Sequence, residues 1–256
     1  MTENLAFKLE RSVLIRARRA TVFRFFTDSE RFAKWWGAGS RIEPRPAGEV
    51  HICYPGNVIA RGMVLAITEG EQIVFSYGYE DPAKPIAPGA SRVTITLHDV
   101  PEGTLLELRH EVADQKTRDE HDPGWRFQLA LFANAACNEQ HAAAAERIGA
   151  WFAAWGAPDP ASRRTGFASC CTARVSFGDQ YACLSGLEDL VAHVDAARRH
   201  LPSVALAAEG SPRACQGTAL VDWIATAPDG KVVMRGTNVF VFDPEGSIER
   251  VIGLPG

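Results

Sequence analysis

The chain has 256 residues, of which 46% are hydrophobic and 23% are charged. These proportions are typical of a globular protein, and the length predicts one large domain or two small ones. Lys and Arg number 27 against 31 Asp and Glu, and the net charge of −4 argues against a protein that binds nucleic acid through a basic surface.

The sequence also argues against a membrane or secreted protein. No apolar run approaches the roughly 18 residues that a transmembrane helix needs, and the N-terminal segment MTENLAFKLE lacks the apolar core of a secretory signal. The six cysteines form no C-x-x-C pair, which predicts buried thiols rather than disulfides or a metal site. We therefore expect a cytoplasmic protein without a bound metal.

The first half is predicted to consist of strands with two short helices near its beginning. From Phe7 to Ile15, apolar residues alternate with polar ones, which is the period of a half-buried strand. Aromatic residues at helical spacing then predict helices at 20–27 and 29–36. Further strands are predicted at 40–45, 48–54, 58–68, 71–78, 91–99 and 103–112.

A long helix is predicted after these strands, starting at Pro123 and reaching about His141. The preceding His121–Asp122–Pro123 segment is interpreted as the turn that enters this helix rather than as a metal site. An alanine-rich stretch at 142–145 leads into a second helical stripe that ends at Gly156–Pro160. We place the domain boundary here, although one continuous helix is an alternative.

The second half is predicted to be helical at first and then mostly strands. Helices are expected at 161–171 and 186–200, and the dipeptides Asp229–Gly230 and Glu245–Gly246 predict hairpin turns. Helices followed by a long antiparallel run indicate an α+β fold. The predicted strands are 172–177, 181–184, 203–209, 213–227, 231–243 and 247–254.

Several segments of the first half are similar to a known family. Together with the predicted order of elements, they make residues 8–142 resemble the Hsp90-ATPase-activator-homologue branch of the START-like (SRPBCC) superfamily. The resemblance implies a helix-grip fold, in which a long C-terminal helix lies across a curved antiparallel sheet with an apolar cavity between them. The segments are TVFRFFTD at 21–28, KWWG at 34–37, RPAGEV at 45–50 and Gly124–Trp125.

The second half resembles the SnoaL-like branch of the NTF2-like superfamily, over residues 146–256. This resemblance implies an α+β cone of three helices against a curved sheet. The predicted domains are therefore 1–142, START-like, and 143–256, SnoaL-like. The segments that carry the second resemblance are WFAAW at 151–155, VSFGD at 175–179, GLEDL at 186–190 and GTNVFVFD at 236–243.

Three polar residues of the second half are candidate catalytic residues. Asn238 is the strongly polar member of an apolar face of the predicted strand 231–243, and leaving a buried amide unpaired costs roughly 1–3 kcal/mol. We expect it to bond either a neighbouring strand or water, or a ligand. The resemblance implies that Asn238 matches the acid that binds the oxyanion in ketosteroid isomerases of this fold.

The resemblance implies that the general base of those isomerases corresponds to a residue near Asp179. Counting residues along the strand places Phe177, and not Asp179, at the position of the base. Asp179 as an exposed turn residue is the alternative interpretation. His193, on the predicted helix 186–200, could face a cavity or solvent, and geometry decides between these roles.

Large aromatic residues are the candidate ligand contacts, and a solid core would use the same residues. Trp35 and Trp36 are placed where a cavity rim is expected. The full candidate set is Trp35, Trp36, Trp125 and Phe132 in the first half, and Trp151, Trp155, Phe177, Tyr181, Trp223, Asn238 and Phe240 in the second.

The sequence lacks the phosphate-loop, dinucleotide, zinc-protease and nucleophile-elbow motifs. The leading hypothesis is a protein without a cofactor that binds a small hydrophobic molecule in apolar cavities. The alternatives are a SnoaL-like isomerase or cyclase that transfers a proton next to a carbonyl, and a co-chaperone or interaction protein. The second resemblance also implies a homodimer formed through the sheet of the second domain.

Overall fold

The structure, a computed structural model, describes residues 5–256. They form two compact units, one ending at Glu139 and the other beginning at Gln140. Each unit has its own hydrophobic core. The predicted division after residue 142 lies close to this point, and the domain limits themselves stay a prediction.

A seven-stranded antiparallel sheet, in the order β1-β7-β6-β5-β4-β3-β2, forms most of the first unit. Strand alternation buries one face of this sheet, on which residues such as Leu9, Leu106 and Phe75 are at most 5% exposed. The elements are β1 Phe7–Ile15, α1 Arg19–Arg24, α2 Ser29–Trp36, β2 Arg41–Ile42, β3 Glu49–Tyr54, β4 Val58–Thr68, β5 Gln72–Tyr77, β6 Ser91–Val100, β7 Gly103–Val112 and α3 Gln115–Gln140.

Helix α3 begins two turns earlier than the sequence predicts. Asp114 explains the early start, because its side chain accepts hydrogen bonds from the backbone N–H of Thr117 at 2.9 Å and from the hydroxyl of Thr117 at 2.8 Å. Pro123 therefore lies inside the helix. The prediction that Pro123 starts the helix, and that His121–Asp122–Pro123 is an entry turn, is wrong.

The second unit packs helices against a six-stranded sheet in the order β10-β11-β12-β13-β8-β9. Strand β13 pairs in parallel with β8, and the other neighbouring strands are antiparallel. The elements are α4 Ala144–Gly156, α5 Pro160–Cys170, β8 Cys171–Gly178, β9 Cys183–Ser185, α6 Leu187–His200, β10 Ala205–Cys215, β11 Thr218–Thr226, β12 Val232–Phe242 and β13 Ile248–Pro255.

Two predictions about the second half are corrected by the structure. The segment predicted as one strand at 213–227 is a hairpin, because Gln216 and Gly217 adopt positive φ angles of 47° and 76° between β10 and β11. The alternative of one continuous helix is also wrong, since α3 ends at Gln140 and α4 begins at Ala144. The turns at Gly230 and Gly246 are present, with φ angles of 83° and 88°.

The predicted fold class, an α+β helix-grip unit followed by an α+β cone, is confirmed. Residues 5–256 contain no helix that is long and apolar enough to cross a membrane.

Candidate functional site

The second unit contains a cavity of about 530 Å³. Helix α6 with the loop after it and strands β10 to β13 contribute to its wall, together with the end of α4, the end of β8 and the segment that follows β8. Most of the lining is apolar or aromatic, as is usual for pockets that take small molecules. The apolar and aromatic lining residues are Trp155, Phe177, Tyr181, Ala196, Ala197, Leu201, Val204, Leu206, Trp223, Ala225, Met234, Leu254 and Pro255.

Gly236 makes room for the indole ring of Trp223 in this wall. The two residues are directly paired across β11 and β12. A Cβ atom on Gly236 would lie 2.5 Å from Cζ2 of Trp223, which is closer than two non-bonded carbon atoms can approach. Glycine in the middle of β12 therefore lets the indole ring lie over the strand.

Asn238 is 5% exposed and lines the cavity. Its Oδ1 atom accepts a hydrogen bond from Nε1 of Trp223 at 3.1 Å. Because an indole nitrogen can only donate, this bond fixes the orientation of the amide and leaves its NH₂ group facing away from Trp223. In the part of the chain that the structure describes, that NH₂ group donates no hydrogen bond.

Gly253 brings Asp179 next to Asn238. It pairs with Asn238 across β12 and β13, and a Cβ atom on it would lie 3.1 Å from Cβ of Asp179 and 3.3 Å from Oδ1 of Asn238. Asp179 is half-buried and follows β8, where its Oδ1 atom accepts the backbone N–H of Tyr181 at 2.7 Å. Asp179 is therefore both a turn residue and part of the cavity wall.

His193 is half-buried on α6 and also lines the cavity. The centroid of its ring lies 5.7 Å from that of Phe177 and 6.1 Å from that of Trp155. The structure thus brings the three predicted catalytic residues, Asp179, His193 and Asn238, to one cavity. Their catalytic role stays a prediction.

The other aromatic candidates of the second unit divide into two groups. Trp155, Phe177, Tyr181 and Trp223 line the cavity. Trp151 and Phe240 do not, because each has an exposed fraction of 0% and they pack edge to face in the core, with centroids 5.8 Å apart.

Sequence reasoning missed several lining residues, above all Arg198, Leu206 and Gly253. Ala197 and Leu201 follow His193 at intervals of four residues along α6, a spacing that marks one helix face. Gly236, two residues before Asn238 in the predicted strand, could also have indicated the site, because glycine inside a strand often marks a place where another group approaches the backbone closely.

The aromatic candidates of the first unit pack against one another. The ring centroids of Trp35 and Trp36 are 4.2 Å apart, and Phe132 lies 4.9 Å from Trp35. Trp125 lies 5.6 Å from Trp36, and none of the four is more than 4% exposed. Trp35 and Trp36 were expected at a cavity rim, and the structure instead places them in the interior, where edge-to-face contacts hold them.

A chain of hydrogen bonds crosses this core. Nε1 of Trp125 donates to Nδ1 of His110 at 2.9 Å, so the proton of the neutral imidazole is on Nε2, which lies 2.8 Å from Oγ of Ser91. The Ser91 hydroxyl in turn donates to the backbone oxygen of Tyr77 at 2.8 Å. Burial lowers the pKa of His110 to about 3, so this histidine is neutral in the folded protein at neutral pH.

Among residues 5–256, no group of three or more His, Cys, Asp and Glu side chains is arranged to hold a metal ion. Cys170 and Cys171 lie with their Sγ atoms 3.6 Å apart, a distance of contact rather than of a covalent bond. All six cysteines are free thiols.

Comparisons with known proteins concern both units. A family model of activator of Hsp90 ATPase homolog 1-like proteins matches residues 16–136. No curated protein matches the chain.

Three solved structures illustrate the similarity. An AHSA1-like protein from Rhizobium etli is 30% identical, with 51% of this chain and 81% of that protein covered and a TM-score of 0.42. A candidate isomerase of the SnoaL-like family from Agrobacterium tumefaciens is 27% identical, with 46% of this chain and 99% of that protein covered and a TM-score of 0.42. The Aha1 dimer from Colwellia psychrerythraea is 14% identical, with 48% and 90% covered and a TM-score of 0.42.

The family model and the protein that is 30% identical name the same family. Through residues 16–136, the chain belongs to the activator of Hsp90 ATPase homolog 1-like proteins.

Proposed function

We propose that the second unit binds a small hydrophobic molecule in its cavity. The observation that carries this proposal is a volume of about 530 Å³ whose wall is mainly apolar and aromatic. Such a wall gains free energy when it releases water to an apolar guest, at about 25 cal/mol for each Å² of apolar surface buried. The family model matches the first unit, whose aromatic residues form a packed core.

A few polar groups in the wall would orient the guest. The NH₂ group of Asn238 can donate to an oxygen of the ligand, because the carbonyl oxygen of this amide is already held by Trp223. Asp179 and His193 lie on the same wall. In an apolar cavity, a small number of polar groups at fixed positions gives a small-molecule site its specificity.

Filling the cavity from one strand tests the proposal. Leu206 lines the cavity from β10, and its neighbour Ala207 is exposed. We expect Leu206→Trp to occupy the space of the guest and to weaken binding at least about tenfold, while Ala207→Trp leaves it unchanged. The measurement is native mass spectrometry and thermal shift with a panel of steroid-like, polyketide-like and fatty-acid-like compounds. A panel without any binder would overturn the proposal.

An enzyme is the second candidate function, an isomerase or cyclase that moves a proton next to a carbonyl. The observation that favours it is the shared cavity wall of Asp179, His193 and Asn238. In this scheme, Asp179 as general base takes a proton from the carbon next to the carbonyl and returns it to the γ-carbon, while the amide of Asn238 donates to the developing oxyanion. Asparagine cannot supply a proton as a carboxylic acid of raised pKa can, which limits Asn238 to stabilising charge.

The enzyme hypothesis predicts that the protein moves a β,γ-double bond of a cyclic ketone into conjugation, which ultraviolet absorbance follows. Asp179→Asn should lower the rate by roughly 10² to 10⁴. Asp189→Asn is the control, since Asp189 is exposed on α6 and outside the cavity wall. Equal rates for both variants would exclude Asp179 as the base.

Three further proposals concern partners and location. A co-chaperone role predicts that the chain retains a chaperone of the Hsp90 class in a pull-down. A cytoplasmic location predicts that the cysteines stay reduced in the cell.

A homodimer is supported by an apolar row on the sheet of the second unit. The row consists of Leu220, Val239 and Ile252, which are half-buried and paired across β11, β12 and β13. For a homodimer, light scattering would give twice the 27.8 kDa of one chain.

A further inference from the structure

Arg198 is a cation in the cavity wall without a carboxylate partner. Its Nη1 atom lies 3.5 Å from the backbone oxygen of Trp155, at the long end of the hydrogen-bond range. Among residues 5–256, no Asp or Glu oxygen lies within 4.0 Å of this guanidinium. The other arginine of the wall, Arg235, is by contrast paired with Glu209 at 2.7 Å.

Asp179 is the carboxylate among the lining residues, and its oxygens do not lie within 4.0 Å of the Arg198 guanidinium. Asp179 lies beyond β8, and its Oδ1 atom accepts the N–H of Tyr181 at 2.7 Å. Arg198 lies on α6. The wall therefore contains one arginine whose charge is not matched by an acidic side chain of the protein.

We propose that the guest of this cavity is an apolar molecule that ends in a carboxylate, and that Arg198 is its counter-ion; the inference rests on the proposed function. The Trp155 oxygen occupies one of the five N–H donors of the guanidinium. The remaining donors form a planar fork that matches the two oxygens of a carboxylate. Arg198 is half-buried, so such a pair is screened less than one on the surface.

Decanoic acid and 1-decanol are the probes, because they share a chain and differ in the head group. By isothermal titration calorimetry of the full chain at neutral pH, we expect the acid to bind about 10- to 100-fold more tightly than the alcohol, as for a charge-assisted hydrogen bond. Arg198→Gln should remove this preference, because it weakens binding of the acid far more than binding of the alcohol. Arg199→Gln is the matched control, since Arg199 is exposed and lies outside the wall.

Two additional variants show whether a lost preference in Arg198→Gln is caused by the lost charge and not by misfolding. Arg198→Lys retains the charge and should retain a reduced preference for the acid. Asp179→Asn removes a like charge and should strengthen binding of the acid only.

The outcomes separate the two proposals. Equal binding of acid and alcohol by the unmodified chain would overturn the inference and leave the proposed function standing, whereas binding of neither would also count against the proposed function. A preference that survives in Arg198→Gln would show that another group is the counter-ion, and the inference would be wrong.

Discussion

Burial of His110 makes the first unit sensitive to acid. Its pKa is about 3 in the folded protein, against an ordinary value of 6.5, so below pH 6.5 the unfolded chain binds a proton that the folded chain does not. This group should therefore lower the free energy of unfolding on the order of 1.5 kcal/mol between about pH 6.5 and 5. Denaturant unfolding at several pH values measures it.

His110→Gln is the variant for this test, because glutamine keeps hydrogen-bonding capacity and does not titrate. We expect a flatter dependence of stability on pH in this window than for the unmodified chain. Parallel curves for the two proteins would mean that His110 is protonated in the folded state, contrary to the hydrogen bond that its Nδ1 atom accepts from Trp125.

Asn238 shows which part of the site can be predicted from single residues. A polar residue in an apolar row of a strand predicted a buried amide that needs a partner. The partner, Trp223, could not be predicted, because it depends on the register of β11 against β12 and on the space that Gly236 leaves. Arg198 could not be predicted as a site residue, because the lack of a carboxylate near its guanidinium depends on the surrounding side chains and not on its position along the helix.

Two ion pairs join α5 to α6 and differ in burial. Arg163 and Asp195 have side chains that are 6% and 18% exposed, while those of Arg164 and Glu188 are 58% and 69% exposed. Asp195→Ala leaves a buried guanidinium uncompensated and should lower the free energy of unfolding by roughly 3–5 kcal/mol. Glu188→Ala, the matched control, should change it by roughly 0–1 kcal/mol.

Denaturant unfolding of the two variants checks this prediction. Similar losses for both would mean that water reaches the Arg163–Asp195 pair and screens it as well as the exposed one. Because α6 also contributes His193 and Arg198 to the cavity wall, the buried pair is expected to fix the helix that positions them.

At the scale of elements, the sequence predicts the strands of the first unit well because their alternation is regular. It fails where a single local interaction outweighs a general preference. Asp114 begins α3 before Pro123, although proline is common at the first position of helices. Gln216–Gly217 is a hairpin turn inside a segment that was predicted as one strand, and glutamine is an unusual residue at a positive φ.

At the scale of the whole molecule, the two units use their aromatic residues differently. In the first unit, the rings contact one another and form a core. In the second unit, Trp151 and Phe240 belong to the core, while Trp155 and Trp223 face the cavity. Aromatic content alone could not predict this difference, because packing and ligand contact require the same residue types.

The indole N–H signals of the six tryptophans provide the most direct test of the claim that the second unit holds an open site for an apolar guest. In a ¹H–¹⁵N correlation spectrum of the full chain, titration with an apolar ligand should shift the signals of Trp155 and Trp223. The signals of Trp35, Trp36 and Trp125 should stay in place. Shifts confined to these three first-unit tryptophans, or spectra unchanged by every ligand tested, would contradict the account.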